Sequence, residues 1–201
     1  MILLNPLVIR LIVIHFFGIW VINTIYQSFR ETVIFDAFIQ LILFIVSATA
    51  FVFIILKDLK EYRLTKKKSN LLPSACGILF ILMALGLIGY QYNRLNSPSL
   101  LKAYWSDGDW NGGTLDLKQN GNYVYSAGSG LGQDFFYGTY SIMDNVILLD
   151  QSTFDGFLTS KKLILKTVTD TLEQKITHKE RLVMINAEGI ENAFDYFWVS
   201  R

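Results

Sequence analysis

VIFDAFIQLILFIVSATAFVFIIL, residues 33–56, decides the fold of this chain, because it is an apolar run in which Asp36 is the one charged residue. A helix rises 1.5 Å per residue, so roughly 20 apolar residues cross the hydrocarbon core of a bilayer, which is about 30 Å thick. Two further runs, at about 11–29 and 71–92, meet the same length requirement. In lipid, such a run satisfies its own backbone hydrogen bonds only as a helix. The sequence therefore predicts three transmembrane helices.

Charge divides the chain into two parts. The 201 residues are 52% hydrophobic and 17% charged, whereas a soluble domain has roughly 25% charged residues. Residues 1–96 carry a net charge of +5 and residues 97–201 a net charge of −4. This asymmetry predicts a three-span membrane anchor over 1–96 and a separate exported domain over 97–201. The high apolar content excludes a disordered chain.

Basic residues predict the orientation of the helices. The connector 57–70, KDLKEYRLTKKKSN, holds six Lys or Arg residues, whereas the link between the first two spans holds only Arg30. The positive-inside rule therefore predicts that the connector and the N-terminus are cytoplasmic. The second domain then lies outside the cytoplasmic (inner) membrane, in a periplasmic or extracellular position. We expect the connector to contact anionic lipid and not nucleic acid, because so short a link offers no folded basic surface.

Polar residues within the spans allow two interpretations. Asp36 and Gln40 are four residues apart and share a helix face. An acid inside a membrane span suggests a proton or ion pathway. Alternatively, Asp36 forms an interfacial ion pair with Arg30 across a tight turn at Arg30–Thr32. Arg10, at the start of the first span, is expected to extend toward the lipid headgroups.

Small residues in the spans predict where helices approach closely. They are Ser47, Ala48, Thr49 and Ala50 in the second span, and Gly86 and Gly89 in the third. Small side chains let helix backbones come together in lipid. We therefore expect these positions to mark helix packing and not a substrate path.

After Pro98 the sequence changes to short alternating runs separated by turn residues, a pattern typical of strands. Nine strands are predicted: 102–106, 114–118, 122–127, 135–142, 146–150, 162–168, 171–177, 181–186 and 194–199. Nine short strands in about 100 residues favour an antiparallel barrel or sandwich.

Three hairpins are predicted within this domain. In TLDLKQNGNYVYS, residues 114–126, a two-residue turn at Asn120 and Gly121 would place Leu115, Leu117 and Val124 on one face. Tyr123 and Tyr125 would then lie on the other face. A second turn is expected at residues 143–145 and a third at residues 169–170. Consecutive hairpins predict an up-and-down strand order, and closing the sheet into a barrel would remove its exposed edges.

Residues 100–201 resemble bacterial lipocalin-like domains. Gly108, Asp109 and Trp110 form the G-x-W triplet that opens the first barrel strand of lipocalins. FYGTYSIMDNVILLD and LILKTVTDTLEQ are similar to strand-turn-strand phrases of the same family. The resemblance implies an eight-stranded antiparallel barrel that holds a small apolar molecule. A small barrel is alternatively filled by its own side chains.

Asp107, Asp109 and Asn111 match the opening of a calcium-binding EF-hand loop, D-x-D-x-N-G. The twelfth position, where that loop needs a bidentate Glu, is Lys118. We therefore predict an ordinary polar turn and no metal site, with a looser calcium turn as the alternative.

Residues for nucleophilic catalysis are sparse in this sequence. The single cysteine, Cys76, lies in the third span, and His178 is the one imidazole of the second domain. No serine is placed in a nucleophile elbow. We expect neither enzymatic activity nor a bound cofactor.

Aromatic side chains are dense in the second domain. Core packing explains most of them, and some are candidates to line an apolar ligand pocket or a partner surface. The candidate ligand-binding residues are Trp110, Tyr123, Tyr125, Phe136, Tyr140 and Trp198. The sequence thus favours a membrane-anchored envelope protein that displays a β-barrel for binding a small apolar ligand or another envelope protein. The alternatives are a membrane-embedded transporter or assembly subunit with an accessory β cap, and an immunity-like envelope protein.

Overall fold

The computed structural model describes residues 5–200 except 34, 109, 152–157, 173–174 and 187, and leaves the side chains of 170–178 and 192–195 undescribed. The chain divides into two compact units. One comprises residues 1–29 and 33–93, and the other comprises 30–32 and 94–201. The first unit is helical and the second is a β-barrel.

Three helices form the first unit. Helix α1 spans Pro6–Ser28, α2 spans Asp36–Thr65 and α3 spans Leu72–Asn96, with a 3₁₀ turn at Lys68–Leu71 before α3. Their most apolar windows have mean hydropathies of 2.0, 2.7 and 2.4 in chain order, the third including the 3₁₀ turn. All three are therefore long and apolar enough to span a membrane, as the sequence predicts.

Helix α2 extends well beyond the apolar run that marks the second span. It continues through the basic segment to Thr65 and ends at Lys66, which adopts a left-handed conformation with φ of 56°. The predicted connector 57–70 is thus mostly helix. Hydropathy locates the part of a helix that suits lipid, whereas Lys, Leu, Glu and Arg are good helix formers and carry the helix onward.

Close helix packing occurs at glycines other than the predicted pair. A Cβ atom on Gly18 would lie 2.4 Å from the Phe80 ring, and one on Gly77 would lie 2.0 Å from the Phe51 ring. A Cβ on Gly86 or Gly89 would meet nothing within 4 Å, so the predicted packing role of these two glycines is wrong. Ser47, Ala48 and Ala50 line an apolar cavity of about 260 Å³ between the helices. A glycine marks close helix packing here when a bulky aromatic ring from another helix lies against it. The spacing of glycines in the sequence does not reveal where such a ring lies.

Eight antiparallel strands, β2 to β9, close into an up-and-down barrel in the second unit. Each pairs with its neighbours in the chain, and β9 pairs with β2 to complete the ring. The strands are β2 Ser99–Ser106, β3 Gly112–Lys118, β4 Asn122–Ser129, β5 Gly132–Met143, β6 Val146–Leu149, β7 Lys162–Leu172, β8 Lys175–Ile185 and β9 Glu191–Ser200. The barrel fold class predicted from the sequence is therefore confirmed.

A short additional strand, β1 at Glu31–Val33, pairs with β5 at the side of the barrel. The Phe135 backbone N–H donates to the Arg30 carbonyl at 2.7 Å, and the Thr32 hydroxyl donates to the Gln133 carbonyl at 3.3 Å. Residues 30–32 therefore belong to the barrel unit and are not merely the tight turn predicted between two helices. The partners lie about a hundred residues away in the chain, so local sequence carries no sign of this pairing.

The first hairpin differs from its prediction by one residue. Leu117 pairs with Tyr123 and Leu115 with Tyr125, because residues 119–121 form a three-residue loop in which Gly121 has φ of 82°. A shift of one residue moves every side chain to the opposite face. Tyr123 and Tyr125 therefore point into the barrel with the two leucines, and not away from them as predicted.

Of the other two predicted hairpin turns, one is confirmed and one is wrong. The turn between β5 and β6 lies at residues 144–145, within the predicted range. The turn predicted at residues 169–170 is wrong, because Thr169 and Asp170 pair with His178 and Thr177 inside the β7–β8 ladder. The predicted strands 171–177 and 181–186 consequently merge into this ladder, and nine predicted strands become eight.

The G-x-W triplet does not open the first barrel strand. Gly108 and Trp110 lie in the connection between β2 and β3, and Asp109 is outside the described residues. The position that lipocalins give to this triplet is therefore not reproduced, although the barrel topology is consistent with a lipocalin-like fold.

Candidate functional site

A cavity of about 610 Å³ opens at one end of the barrel, which we call the mouth. It lies at the end where β2 begins, where β9 ends and where the β5–β6 hairpin turns. The lining residues come from six strands and one turn: Ser99, Leu100, Leu101, Lys102, Leu117, Ile142, Asp144, Asn145, Ile147, Leu165 and Ser200. The strand ends thus assemble a pocket that no single sequence segment contains.

The mouth has an apolar floor and a polar rim. Leu117 and Ile147, with 0% and 3% exposure, form the floor, and half-buried Leu101 and Leu165 form the walls. Exposed polar side chains stand at the rim: Ser99, Lys102, Asp144, Asn145 and Ser200. Such a pocket suits a molecule with an apolar body and a polar end.

The centre of the barrel is filled by its own side chains. The core residues with less than 2% exposure are Ala103, Leu115, Leu117, Tyr123, Tyr125, Leu149, Leu158, Leu163, Leu182, Met184 and Phe197. The described cavity is therefore confined to the mouth and does not run along the barrel axis.

Four of the predicted ligand-binding aromatics belong to this core or its edge. Tyr123 and Tyr125 are fully buried, and Phe136 stacks on Tyr125 with ring centroids 5.8 Å apart. The Tyr140 hydroxyl donates to the Lys118 carbonyl at 2.7 Å. These side chains lie outside the lining of the mouth and support it from within the barrel.

The other two predicted aromatics lie away from the core. Trp110 is 79% exposed, and its ring lies over Gly130, where a Cβ would be 2.4 Å away. Trp198 points outward from β9, since its neighbour Phe197 is fully buried in the interior. Neither tryptophan lines the mouth. The aromatic pattern identified the core, whereas aliphatic residues at strand ends line the mouth.

Tyr123 and Asp150 meet at Gly138. A Cβ on Gly138 would lie 2.2 Å from an Asp150 carboxylate oxygen and 2.6 Å from the Tyr123 hydroxyl, so only glycine leaves room for both. Burial, reinforced by the Asp150 charge, raises the pKa of Tyr123 well above its ordinary value. Burial alone would raise the pKa of Asp150, but donors from Thr139 and Tyr123 outweigh it and hold that pKa below its ordinary value. Asp150 is therefore an ionised acceptor in the fold at neutral pH.

The candidate metal turn is closed by its own hydrogen bonds. Asp107 accepts the Asn111 backbone N–H at 3.2 Å and the Asn111 side-chain amide at 2.7 Å. Asp109 lies outside the described residues. Among the described residues, no group of three or more His, Cys, Asp or Glu side chains could hold a metal ion.

Asp36 and Gln40 lie in the first two turns of α2 and are partly exposed. The ion pairs formed by described residues do not include one from Asp36. Arg30, its predicted partner, donates no described bond to Asp36, and its carbonyl pairs with β5. An acid in the first turn of a helix is favoured by the helix dipole, which accounts for Asp36 without a pathway.

A buried charge cluster in the helical unit was missed by the sequence analysis; we call it the helix cluster. Arg10 of α1 is 5% exposed and donates from Nη1 to Asp58 Oδ1 and from Nη2 to Glu61 Oε2, each at 2.5 Å. The other Asp58 oxygen accepts the Ser74 backbone N–H at 2.9 Å and the Ser74 hydroxyl at 2.6 Å. Arg10 therefore does not extend toward headgroups as predicted, because two carboxylates of α2 receive it.

A second charge cluster holds the last turn of α3 within the barrel unit; we call it the junction cluster. Lys118 Nζ donates to the Leu95 carbonyl and to Asp116 Oδ2, both at 2.8 Å. The Arg94 guanidinium lies 4.4 Å from the centre of the Tyr137 ring. Lys118 thereby satisfies one of the carbonyls that a helix C-terminus leaves without a partner. The floor residue Leu117 directly precedes Lys118, so the mouth lies beside the end of α3.

Comparison with protein-family models, curated proteins and solved structures returns no match to this chain. The likeness to lipocalins therefore rests on the closed eight-strand antiparallel barrel alone.

Proposed function

We propose that this chain is a membrane-anchored cell-envelope protein whose barrel binds a small apolar molecule at the mouth. The observation that carries the proposal is the cavity of about 610 Å³ with an apolar floor, since ligand pockets typically occupy about 300–1,000 Å³. The role is binding and not catalysis, because the sequence offers no nucleophile with a partnering base.

The polar residues at the rim of the mouth restrict which ligands would suit it. Lys102, Asp144 and Asn145 surround an opening whose floor is Leu117 and Ile147. A ligand with an apolar body and a polar or charged end would bury the body and leave the end at the rim. The filled barrel centre limits the depth of insertion, so a single short apolar group fits better than a long chain.

The membrane placement has two supports. Three helices have the length and hydropathy of membrane spans, and the basic residues cluster in the last turns of α2 and in the link to α3. Residues 30–32 and 94–201 belong to one unit. The link between α1 and α2 and the segment after α3 would therefore share one side of the membrane, as three crossings require. By the positive-inside rule, we place that side outside the cytoplasm.

Binding is tested with the full-length protein in detergent and a short fluorescent probe that has an aromatic body and one charged end. The variant Leu165→Trp adds a large ring to a wall of the mouth and should weaken the saturable binding by at least about tenfold, or about 1.4 kcal/mol. Leu131→Trp is the matched control, because Leu131 is 72% exposed in the β4–β5 turn at the opposite end of the barrel. Equal affinities for the two variants, or no saturable binding by the natural chain, would refute the mouth as a ligand site.

Orientation is tested separately in intact cells. A reporter enzyme that is active only after export, fused after Arg201, should be active, whereas the same reporter inserted after Lys67 should be inactive. The reverse pattern would place the barrel in the cytoplasm and overturn this part of the proposal.

A further inference from the structure

The outer wall of the barrel carries a row of aromatic and basic side chains across four strands. Tyr104 pairs with Trp198, Trp198 with Arg181, and Arg181 with Lys166. All four point outward, because the alternate residues Ala103, Phe197 and Leu182 are fully buried inside. Adjacent strands lie about 4.8 Å apart, so the row spans about 14 Å of the wall.

Arg181 is held between two rings. Its guanidinium carbon lies 4.2 Å from the centre of the Tyr196 ring and 4.1 Å from the centre of the Trp198 ring. The Lys179 ammonium lies 5.3 Å from the centre of the Trp198 ring. The Tyr196 and Trp198 rings are perpendicular to each other, with an interplanar angle of 89°, and both attract the cation that lies beside them.

The N–H groups of Arg181 are not used by the described residues. Arg181 Nε is buried without a hydrogen-bond partner, and no described carboxylate forms an ion pair with this side chain. The described carboxylate on this wall, Glu191, is paired with Lys166 instead. Arg181 as a whole is partly exposed, so its charge is available to an external anion although Nε itself is buried.

Lys102 and Tyr104, both exposed, extend this surface along β2. We define the cationic aromatic face as the side chains of Lys102, Tyr104, Lys179, Arg181, Tyr196 and Trp198. It combines three cations with three amphipathic rings, which is the composition found where proteins meet lipid headgroups. The opposite part of the wall differs, because there the last turn of α3 and strand β1 cover β3 to β5.

The length of the chain limits how far this face lies from the membrane. Strand β2 begins at Ser99, three residues after the end of α3 at Asn96. Six extended residues span at most about 20 Å, so Lys102 remains within that distance of the end of a membrane-spanning helix. Headgroup phosphates of the same bilayer are therefore the anions most concentrated within its reach.

We propose that the cationic aromatic face binds the phosphate groups of anionic phospholipids in the membrane that α3 crosses. Arg181, Lys102 and Lys179 supply charge, and the three rings lie at headgroup depth. Lys102 also stands at the rim of the mouth, whereas Tyr104, Lys179, Arg181, Tyr196 and Trp198 lie outside the lining of the mouth.

The test uses the full chain in nanodiscs with Cys76→Ser and Ser200→Cys, because exposed Ser200 pairs with Lys102 and lies beside the face without belonging to it. In discs that contain phosphatidylglycerol, maleimide should modify this cysteine several-fold more slowly than in discs of phosphatidylcholine alone. High salt should restore the faster rate, because it screens charge interactions at a surface. Adding Arg181→Gln should remove the difference between the two lipids, and adding Lys161→Gln, an exposed cation outside the face, should preserve it.

Arg181→Lys keeps the positive charge but removes the planar guanidinium that lies beside the two rings, and it should retain only part of the protection. Circular dichroism and the oligomeric state of each variant identify any that fail to fold, and Arg181→Lys then replaces Arg181→Gln as the decisive variant. Equal modification rates in both lipids, or protection that survives Arg181→Gln in a folded protein, would overturn the proposal. Protection in phosphatidylcholine discs by added polyglutamate, without an effect of phosphatidylglycerol, would overturn it in favour of an acidic protein partner.

Discussion

The helix cluster and the junction cluster both bury charge, but they satisfy it differently. In the helix cluster, Asp58 is fully buried and both of its oxygens accept hydrogen bonds, from Arg10 and from Ser74. In the junction cluster, Asp116 accepts from Lys118 with one oxygen, and its buried Oδ1 has no hydrogen-bond partner among the described residues. The first cluster is complete, and the second leaves one acceptor unused.

This difference indicates how much each cluster contributes to the stability of the fold. A buried polar network stabilises most when every member is satisfied, since an unsatisfied buried group loses its hydration without compensation. Asp58 links three helices, because it lies on α2, pairs with α1 and accepts from the first turn of α3. Lys118 links only the last turn of α3 to one strand. We therefore expect the helix cluster to contribute more stability than the junction cluster.

The largest expected effect is that of Arg10→Met. Removal of the cation leaves the Asp58 and Glu61 carboxylates without their counter-charge, and breaking such a buried pair destabilises by about 3–5 kcal/mol. Hydrogen exchange of α1 and α3 amides in the detergent-solubilised chain should accelerate accordingly. The control is Arg63→Met, which removes an exposed cation from the end of α2 that also carries Asp58 and Glu61. It should change the free energy of unfolding by less than about 0.5 kcal/mol.

The double variant Arg10→Met with Asp58→Leu sharpens this prediction. Replacing both members by apolar residues removes the uncompensated charge and should recover part of the loss. A double variant as unstable as the sum of both single variants would show that the two charges do not interact, which contradicts the cluster.

A smaller loss is expected for Lys118→Met in the junction cluster. The Leu95 carbonyl and Asp116 lose their donor, which should destabilise the barrel unit by about 1–3 kcal/mol. Urea unfolding followed by the fluorescence of the barrel tryptophans measures this change, with Lys161→Met as the exposed control. If Lys118→Met proved as damaging as Arg10→Met, the ranking of the two clusters would be wrong.

The smallest effect should come from Asp150, an exposed carboxylate that serves as a reference for the two buried ones. Its pKa is lowered in the folded chain by donors from Thr139 and Tyr123. Its contribution is therefore present above the ordinary carboxyl pKa of about 4 and is lost as the pH falls through the lower folded value. Acid unfolding of the natural chain and of Asp150→Asn, followed by tryptophan fluorescence, should converge below that pH. A constant difference between them down to the lowest pH would contradict this assignment.

The sequence correctly predicted those elements whose residue pattern lies within one continuous segment of the chain. The three helices follow from apolar runs, and the β5–β6 turn follows from Asp144 and Asn145 between two alternating strands. The first hairpin was misjudged by one residue, because NG suits a two-residue turn as well as the three-residue loop that the chain adopts. The β7–β8 turn was misplaced because Thr169 and Asp170 have turn propensity but lie in a long paired ladder.

The candidate sites were less accessible to sequence reasoning. Aromatic density pointed to Tyr123 and Tyr125, which are core residues, whereas the mouth is lined by aliphatic side chains from strand ends. The helix cluster left one trace in the sequence, since Asp58 and Glu61 are three residues apart on one helix face beside the second apolar run. Nothing local connects them to Arg10, 48 residues earlier than Asp58.

By itself, the sequence determined that this protein has three apolar helices and a strand-rich domain of opposite net charge. Apolar runs and the alternation of apolar and polar residues are patterns of neighbouring residues, so they can be recognised without the tertiary structure. The tertiary structure alone decided that the barrel has eight strands and not nine, that β1 joins the barrel, and that Arg10 meets Asp58. It also decided that strand ends enclose a mouth and that Arg181 lies between two rings. These features depend on residues distant in the chain, and only the packing of the folded chain brings them together.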